Sequence, residues 1–189
     1  VPLLGGVAIF LAFWLGARYL IVHPAYGAEF LTGKLVAAFF GSCIILLIGI
    51  VDDVRPLPAN VRFVGTAVAV LITVFFGLWL EEVNNPFGGT LELGAIAGGI
   101  VVFCWLMGMM YTTKVLDGLD GLSTGIVAIG AFMIFLFTQT KTYYQPNVGL
   151  LALILAGACV GFLVFNFYPA KIFLGESGSL FIGFTLAVL

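Results

Sequence analysis

Charged residues are scarce in this chain. Only 8% of its 189 residues are Asp, Glu, Lys or Arg, against about a quarter in an ordinary soluble domain. Together with 62% hydrophobic residues and a mean hydropathy of +1.23, that excludes a soluble globular domain. No basic tract is present, so nothing points to nucleic acid, and the net charge of −2 selects no partner. Histidine is reduced to one, His23. Cysteine is reduced to three, Cys43, Cys104 and Cys159, all inside apolar runs. An odd number in such places argues against a disulfide framework and leaves them as small packing residues. Also missing is the alternation of apolar and polar residues, in segments of about 10, that marks transmembrane strands.

What the chain has is long apolar runs. They recur at about 5–22, 34–51, 63–80, 94–111, 122–140 and 148–165, with a partial run from about 179 onward. Each is long enough to cross a bilayer core of about 30 Å as a helix. The expected fold is therefore all-α: a polytopic transmembrane helical bundle of about six full spans plus a partial seventh, forming one domain over 1–189. The first run lacks a basic n-region and a small-residue cleavage site, so it reads as a span and not a signal peptide. The chain begins at Val1 and stops at Leu189 within an apolar run, so it reads as a fragment of a longer protein. Glycine pairs at GxxxG spacing, Gly94/Gly98, Gly121/Gly125 and Gly157/Gly161, are expected to let helices approach closely.

Consecutive spans cross in opposite directions, so alternate connections share a side. One side carries HPAYGAEFLTGK (23–34), EEVNNPFGGTLEL (81–93) and TQTKTYYQPN (138–147). The other carries VPLLGG, VDDVRPLPANVR (51–62), TTKVLDGLDG (112–121) and NFYPAKIFLGESGS (166–179). All four aspartates, Asp52, Asp53, Asp117 and Asp120, and also Glu176, fall on the second side. That side holds Arg55, Arg62, Lys114 and Lys171. The first holds Lys34 and Lys141, with Arg18 near it. The balance favours a cytoplasmic acidic face.

Acids at span ends need a reason. In DGLDG, Asp117 and Asp120 would share one face if they began a helix, and two close carboxylates need a cation between them. A divalent metal, Lys114 or a helix N-terminus would serve, and so would the plainer reading of acids favouring a helix dipole. Asp52 and Asp53 at the end of LLIGIV mark either a function or a solvated interface, and Arg55 and Arg62 either meet phosphate or anchor that interface. Gly175-Glu176-Ser177-Gly178-Ser179 reads as a small turn rich in backbone N–H groups, suited to phosphate oxygens. An acid within such a turn suggests a carboxylate–Mg²⁺–phosphate arrangement.

Four motifs in order then carry a resemblance. Pro2 and Gly5-Gly6 in VPLLGG, Gly49, Asp52 and Asp53 in GIVDD, Asp117, Gly118, Asp120 and Gly121 in DGLDGL, and Asn166, Pro169, Ala170, Lys171, Phe173, Gly175, Gly178 and Ser179 in FNFYPAKIFLGESGS make the chain similar to the polyprenyl-phosphate N-acetylhexosamine-1-phosphate transferases. The resemblance implies a multi-pass plasma (inner) membrane enzyme that moves a sugar-1-phosphate from a UDP-sugar to undecaprenyl phosphate and releases UMP. It implies a requirement for Mg²⁺ or Mn²⁺ and an active site facing the cytoplasm. UDP-GlcNAc is the expected donor, with UDP-MurNAc-pentapeptide the alternative, and a homodimer is an expected assembly. It also implies roles: Asp52, Asp53, Asp117 and Asp120 as catalytic residues, Asp117 and Glu176 as metal ligands, and Lys114, Asn166, Lys171, Gly175, Ser177 and Arg62 as substrate contacts. The chain departs from the family pattern at two positions, Glu176 for Asp and Lys114 for Asn. A histidine-containing loop and the rest of the bundle are expected beyond Leu189, and a further span before Val1. Two other classes compete: an ion-coupled transporter, whose acids would lie nearer the bilayer midplane, and a non-catalytic homologue that binds a lipid phosphate.

Overall fold

The computed structural model describes residues 4–23, 33–80, 82–84 and 89–189. Pro2 and most of the 23–34 connection lie outside the described residues. Seven α-helices occur among the described residues: α1 (Gly5–Val22), α2 (Gly33–Val54), α3 (Ala59–Phe75), α4 (Ala95–Leu116), α5 (Leu122–Thr138), α6 (Pro146–Asn166) and α7 (Gly175–Val188). A short antiparallel ribbon, β1 (Glu82–Asn84) with β2 (Thr90–Glu92), joins α3 to α4, pairing Val83 with Leu91. Four helices, α1, α2, α4 and α6, are long and apolar enough to cross a membrane, and α3 and α5 are apolar at 17 residues each. The protein is a polytopic helical membrane bundle, as the apolar runs predict.

Local chemistry sets the ends. Pro56 and Pro58 cannot continue α2, and Pro58 caps α3 from outside. Helix α3 therefore starts at Ala59, earlier than the run 63–80 suggests, and it stops short of Gly77, whose φ of +113° favours glycine. Helix α4 runs on to Leu116, so Lys114 is helical and not in a loop. The DGLDG stretch does not begin a helix: Asp117 caps α4, and α5 starts at Leu122 after Gly121 at φ +74°. Glu176 and Ser177 are not in a free turn either. They form the first turn of α7, which starts four residues before the expected span.

Helix α7 is the centre of the bundle, with Ser177 through Thr185 all buried. It joins two apolar clusters. Phe181 and Ile182 pack with Ile9, Phe13, Val127 and Leu155 of α1, α5 and α6. Leu180 and Phe184 pack with Ile45, Val70, Leu106 and Met110 of α2, α3 and α4. Large apolar side chains such as Leu15, Phe75, Ile96 and Val164 cover the outside. In lipid such residues are already solvated, so close packing and polar contacts hold the helices together.

Of the GxxxG glycines, Gly98 makes a close approach, since a Cβ there would collide with the Leu80 carbonyl oxygen. Gly125, Gly157 and Gly161 have nothing within 4 Å of where a Cβ would stand, and Gly121 serves a turn. Other tight contacts, beneath the acidic end, are made by Gly6 against Gly178 and by Gly49 against Ser177. They seat the first turn of α7 between α1 and α2. Of the cysteines, only Cys159 is buried; Cys43 is half-buried and Cys104 lies on the outer face, all three free. A Cβ on Gly49 would stand 2.6 Å from the Ser177 backbone nitrogen, with no flexible side chain to yield. Gly49→Ala is expected to destabilise the full-length protein by about 1–3 kcal/mol, the usual cost of overpacking. Thermal unfolding in detergent checks this.

Candidate active site

The three acidic connections converge at one end of the bundle. They enclose a cleft of about 430 Å³ whose lining includes Asp52, Asp53, Lys114, Asp117, Asp120 and Glu176, with Asn166, Gly175 and Ser179. Five carboxylates and one ammonium thus face a single small space. His23 follows the far end of α1, about 27 Å of helix away from that end.

Asp52 and Asp53 occupy the last turn of α2, where a helix dipole disfavours negative charge. Each is compensated. Asp52 is buried. Its Oδ1 accepts the Leu57 backbone N–H at 2.6 Å, and its Oδ2 meets Arg62 Nη1 at 3.1 Å. Arg62 stands behind Asp52, with its Nε buried and unpartnered among the described residues. Asp53 serves the opposite dipole. Its Oδ1 accepts the Glu176 N–H at 2.7 Å, and its Oδ2 accepts the Ser177 N–H at 3.1 Å and the Ser177 hydroxyl at 2.6 Å. No side chain of α7 or its lead-in caps the helix. A carboxylate more than 120 positions away in sequence does so.

Asp120 accepts the Ala170 N–H at 3.0 Å, which ties the α4–α5 turn to the α6–α7 connection. Asn166 is buried, with both polar atoms in use: Oδ1 accepts from Thr124 at 3.2 Å and Nδ2 donates to the Ile172 carbonyl at 3.1 Å. Lys114 Nζ contacts Glu176 Oε1 at 2.5 Å, and Arg62 lies 3.8 Å from Glu176 Oε2. Lys171 is exposed and Ser177 faces Asp53, and neither belongs to the cleft lining. Arg55 is exposed.

Asp117 differs from the others. Among the described residues no hydrogen bond or ion pair reaches its carboxylate. Burial, then Asp53 and Glu176 nearby, push its pKa from 3.8 to about 7. An acid so placed calls for a cation. A divalent metal of the Mg²⁺ type suits this donor set. No group of three His, Cys, Asp or Glu side chains could hold a metal among the described residues, so an all-protein cage is absent. Mg²⁺ commonly takes one or two carboxylates and fills its remaining positions with water and substrate phosphate.

Sequence reasoning missed Thr113. Its hydroxyl donates to the Ser179 carbonyl at 2.8 Å, and its own carbonyl accepts from Ser123 at 3.0 Å, fixing α4, α5 and α7 together below the cleft. A threonine inside an apolar helix gives little signal of this kind. Gly6, Gly49 and Gly178 were motif residues, and the structure gives them a packing task beneath the site.

The sequence profile of glycosyl transferase family 4 matches residues 35–189. A probable undecaprenyl-phosphate N-acetylglucosaminyl 1-phosphate transferase of Bacillus subtilis is 33% identical over all of this chain and half of its own length. A decaprenyl-phosphate N-acetylglucosaminephosphotransferase of Mycobacterium tuberculosis is 35% identical over 98% of this chain and 48% of its own. A phospho-N-acetylmuramoyl-pentapeptide-transferase of Limosilactobacillus reuteri is 31% identical over 100% and 59%. The chain spans about half the length of the first two.

Proposed function

The chain belongs to glycosyl transferase family 4, and from that premise we propose that the whole protein transfers N-acetylglucosamine-1-phosphate from UDP-GlcNAc to undecaprenyl phosphate. An oxygen of the lipid phosphate attacks the sugar-bearing phosphorus, that phosphorus–oxygen bond forms, the bond to UMP breaks, and UMP leaves. The cleft faces the cytoplasm, where UDP-sugars are at hand, in agreement with the balance of Lys and Arg. The observation that carries this reading is the Asp117 carboxylate, unpartnered among the described residues, in a cleft assembled from all three acidic connections. The names of the similar proteins favour GlcNAc over MurNAc-pentapeptide as the sugar.

Phosphoryl transfer asks a protein mainly for positioning and charge stabilisation. Asp117 would hold a Mg²⁺ ion, which would supply positive charge to offset the diphosphate. Asp53 holds the first turn of α7, and with it Gly175 and Glu176, against the cleft. Asp52 fixes Arg62. Asp120 holds the Ala170 end of the connection that closes the far wall. With both oxygens of Asp52 and of Asp53 already accepting hydrogen bonds, these two carboxylates position the site and do not take a proton. None is needed, since a phosphate monoester with a second pKa of about 6 is already mostly ionised at neutral pH. Lys114 is the cation that meets substrate phosphate in the cleft.

The test is UMP release by the full-length protein in detergent with undecaprenyl phosphate. UDP-GlcNAc and UDP-MurNAc-pentapeptide are offered separately, with and without Mg²⁺. Metal-dependent UMP from UDP-GlcNAc is the expected result. UMP from the pentapeptide donor alone would move the sugar assignment. No UMP from either, with the protein folded, would leave a lipid-phosphate-binding homologue as the better reading.

A further inference from the structure

Lys114 of α4 and Glu176 of α7, 62 positions apart in sequence, touch each other at the cleft. Lys114 Nζ lies 2.5 Å from Glu176 Oε1, and Arg62 Nη1 lies 3.8 Å from Oε2, so each carboxylate oxygen faces a cation. The lysine is held from the other side as well. Its ammonium sits 5.4 Å from the centre of the Tyr111 ring, and the Tyr111 hydroxyl is 3.2 Å from Thr66 Oγ1. The pair is largely withdrawn from water, at 25% and 13% side-chain exposure. Glutamate has the reach to do this. Its backbone N–H stays on Asp53 while its carboxylate crosses from α7 to α4.

We propose that Glu176 is a positioning residue that fixes Lys114 in the cleft, the two acting as one internal charge pair, and that Glu176 is not a metal ligand. To ligate a divalent ion, Glu176 would have to release its charge-assisted hydrogen bond to Lys114. It would then leave two cations crowded beside the incoming metal. Asp117 has no such competing partner among the described residues. In this chain the metal is held by one protein carboxylate plus substrate and water, and the second positive charge of the site is the fixed ammonium. The inference rests on the transferase reading above for the metal and the substrate, and on geometry alone for the pair.

Three measurements on the full-length protein in detergent decide it. The double variant Glu176→Gln/Lys114→Gln keeps the net charge. By paramagnetic resonance it should bind Mn²⁺, without nucleotide, within about threefold of the parent, whereas Asp117→Asn should bind at least about tenfold more weakly. A tenfold loss in the double variant would overturn the proposal. In metal-free buffer each single variant should melt about 5 °C below the parent, because a lone charge is left behind, and the double should recover at least half of that. Additive losses would overturn the pairing. The KM for UDP-GlcNAc should rise about tenfold in each single variant and no further in the double, with kcat changed less than about threefold. Additive effects, or a fall in kcat alone, would count against a fixed cation. A parent that binds no Mn²⁺ and releases no UMP would refute the transferase reading. The melting cycle would still judge the pair.

Discussion

Asp117→Asn is expected to lower UMP release by the full-length protein about 10²–10³-fold, the usual cost of removing one electrostatic stabiliser of a transition state. The same change should raise the melting temperature in metal-free buffer. Both follow from one observation. The carboxylate is half-buried near Asp53 and Glu176, with no hydrogen bond or ion pair to it among the described residues, and burial and then those two charges push its pKa up to about 7. An acid whose pKa is raised by folding binds its proton more tightly in the folded state. Its contribution to stability is therefore intact below the unfolded value of 3.8 and is lost as pH climbs toward about 7. Metal-free protein should thus become less stable across that window, and the slope should flatten in Asp117→Asn. A divalent ion bound at Asp117 would compete with the same proton. Its affinity should rise about tenfold per pH unit below 7 and level off above, as deprotonation of one ligand requires. An Mn²⁺ affinity independent of pH from 5 to 8 would remove Asp117 from the metal. Unchanged activity in Asp117→Asn would remove it from the chemistry.

Replacing Asp53 should produce the largest loss of stability. Three hydrogen bonds from the first turn of α7 end on this carboxylate. Loss of a helix cap typically costs about 1 kcal/mol, and hydrogen bonds to a charged group are worth about 1.5–3 kcal/mol each. Asp53→Ala is expected to cost about 2–4 kcal/mol, or a melting temperature lower by about 5–10 °C. UMP release should fall with it, because α7 carries Gly175 and Glu176 into the cleft. Asp53→Asn distinguishes the roles. As a cap, Asn keeps an acceptor oxygen, so melting temperature and activity should both fall to intermediate values. As a proton acceptor, Asp53 would give an Asn variant with full stability and almost no activity, and that result would end the positioning assignment.

Much of this protein was legible from its sequence. A mean hydropathy of +1.23 with 8% charge leaves membrane helices as the way to satisfy the backbone, and run lengths located them within a few residues. Counting crossings put the four aspartates and Glu176 at one end, where the cleft lies. Crossing parity depends only on the number of spans, so small errors in their boundaries did no harm.

Partners were another matter. No local pattern says that Asp53 caps a helix 123 positions on, that Asp52 takes Arg62, or that Lys114 meets Glu176 across 62 positions. Helix ends shifted for a related reason. Lys114 and Glu176 read as loop residues by hydropathy, yet α4 and α7 extend through them, because a polar residue stays helical when a partner from another helix satisfies it. The GxxxG pairs guided only in part: Gly98 does close on the Leu80 backbone, but spacing shows that two glycines share a face and not what the face meets. Gly157 and Gly161 meet open space, while Gly6 and Gly49, unpaired in sequence, meet the backbone of α7. Composition and periodicity are properties of one helix in its solvent, and they decided the class of fold and the end of the bundle where charge gathers. Which carboxylate is spent on structure and which is left open for a cation depends on how α7 is seated between α1, α2 and α4, and only the tertiary packing decided that.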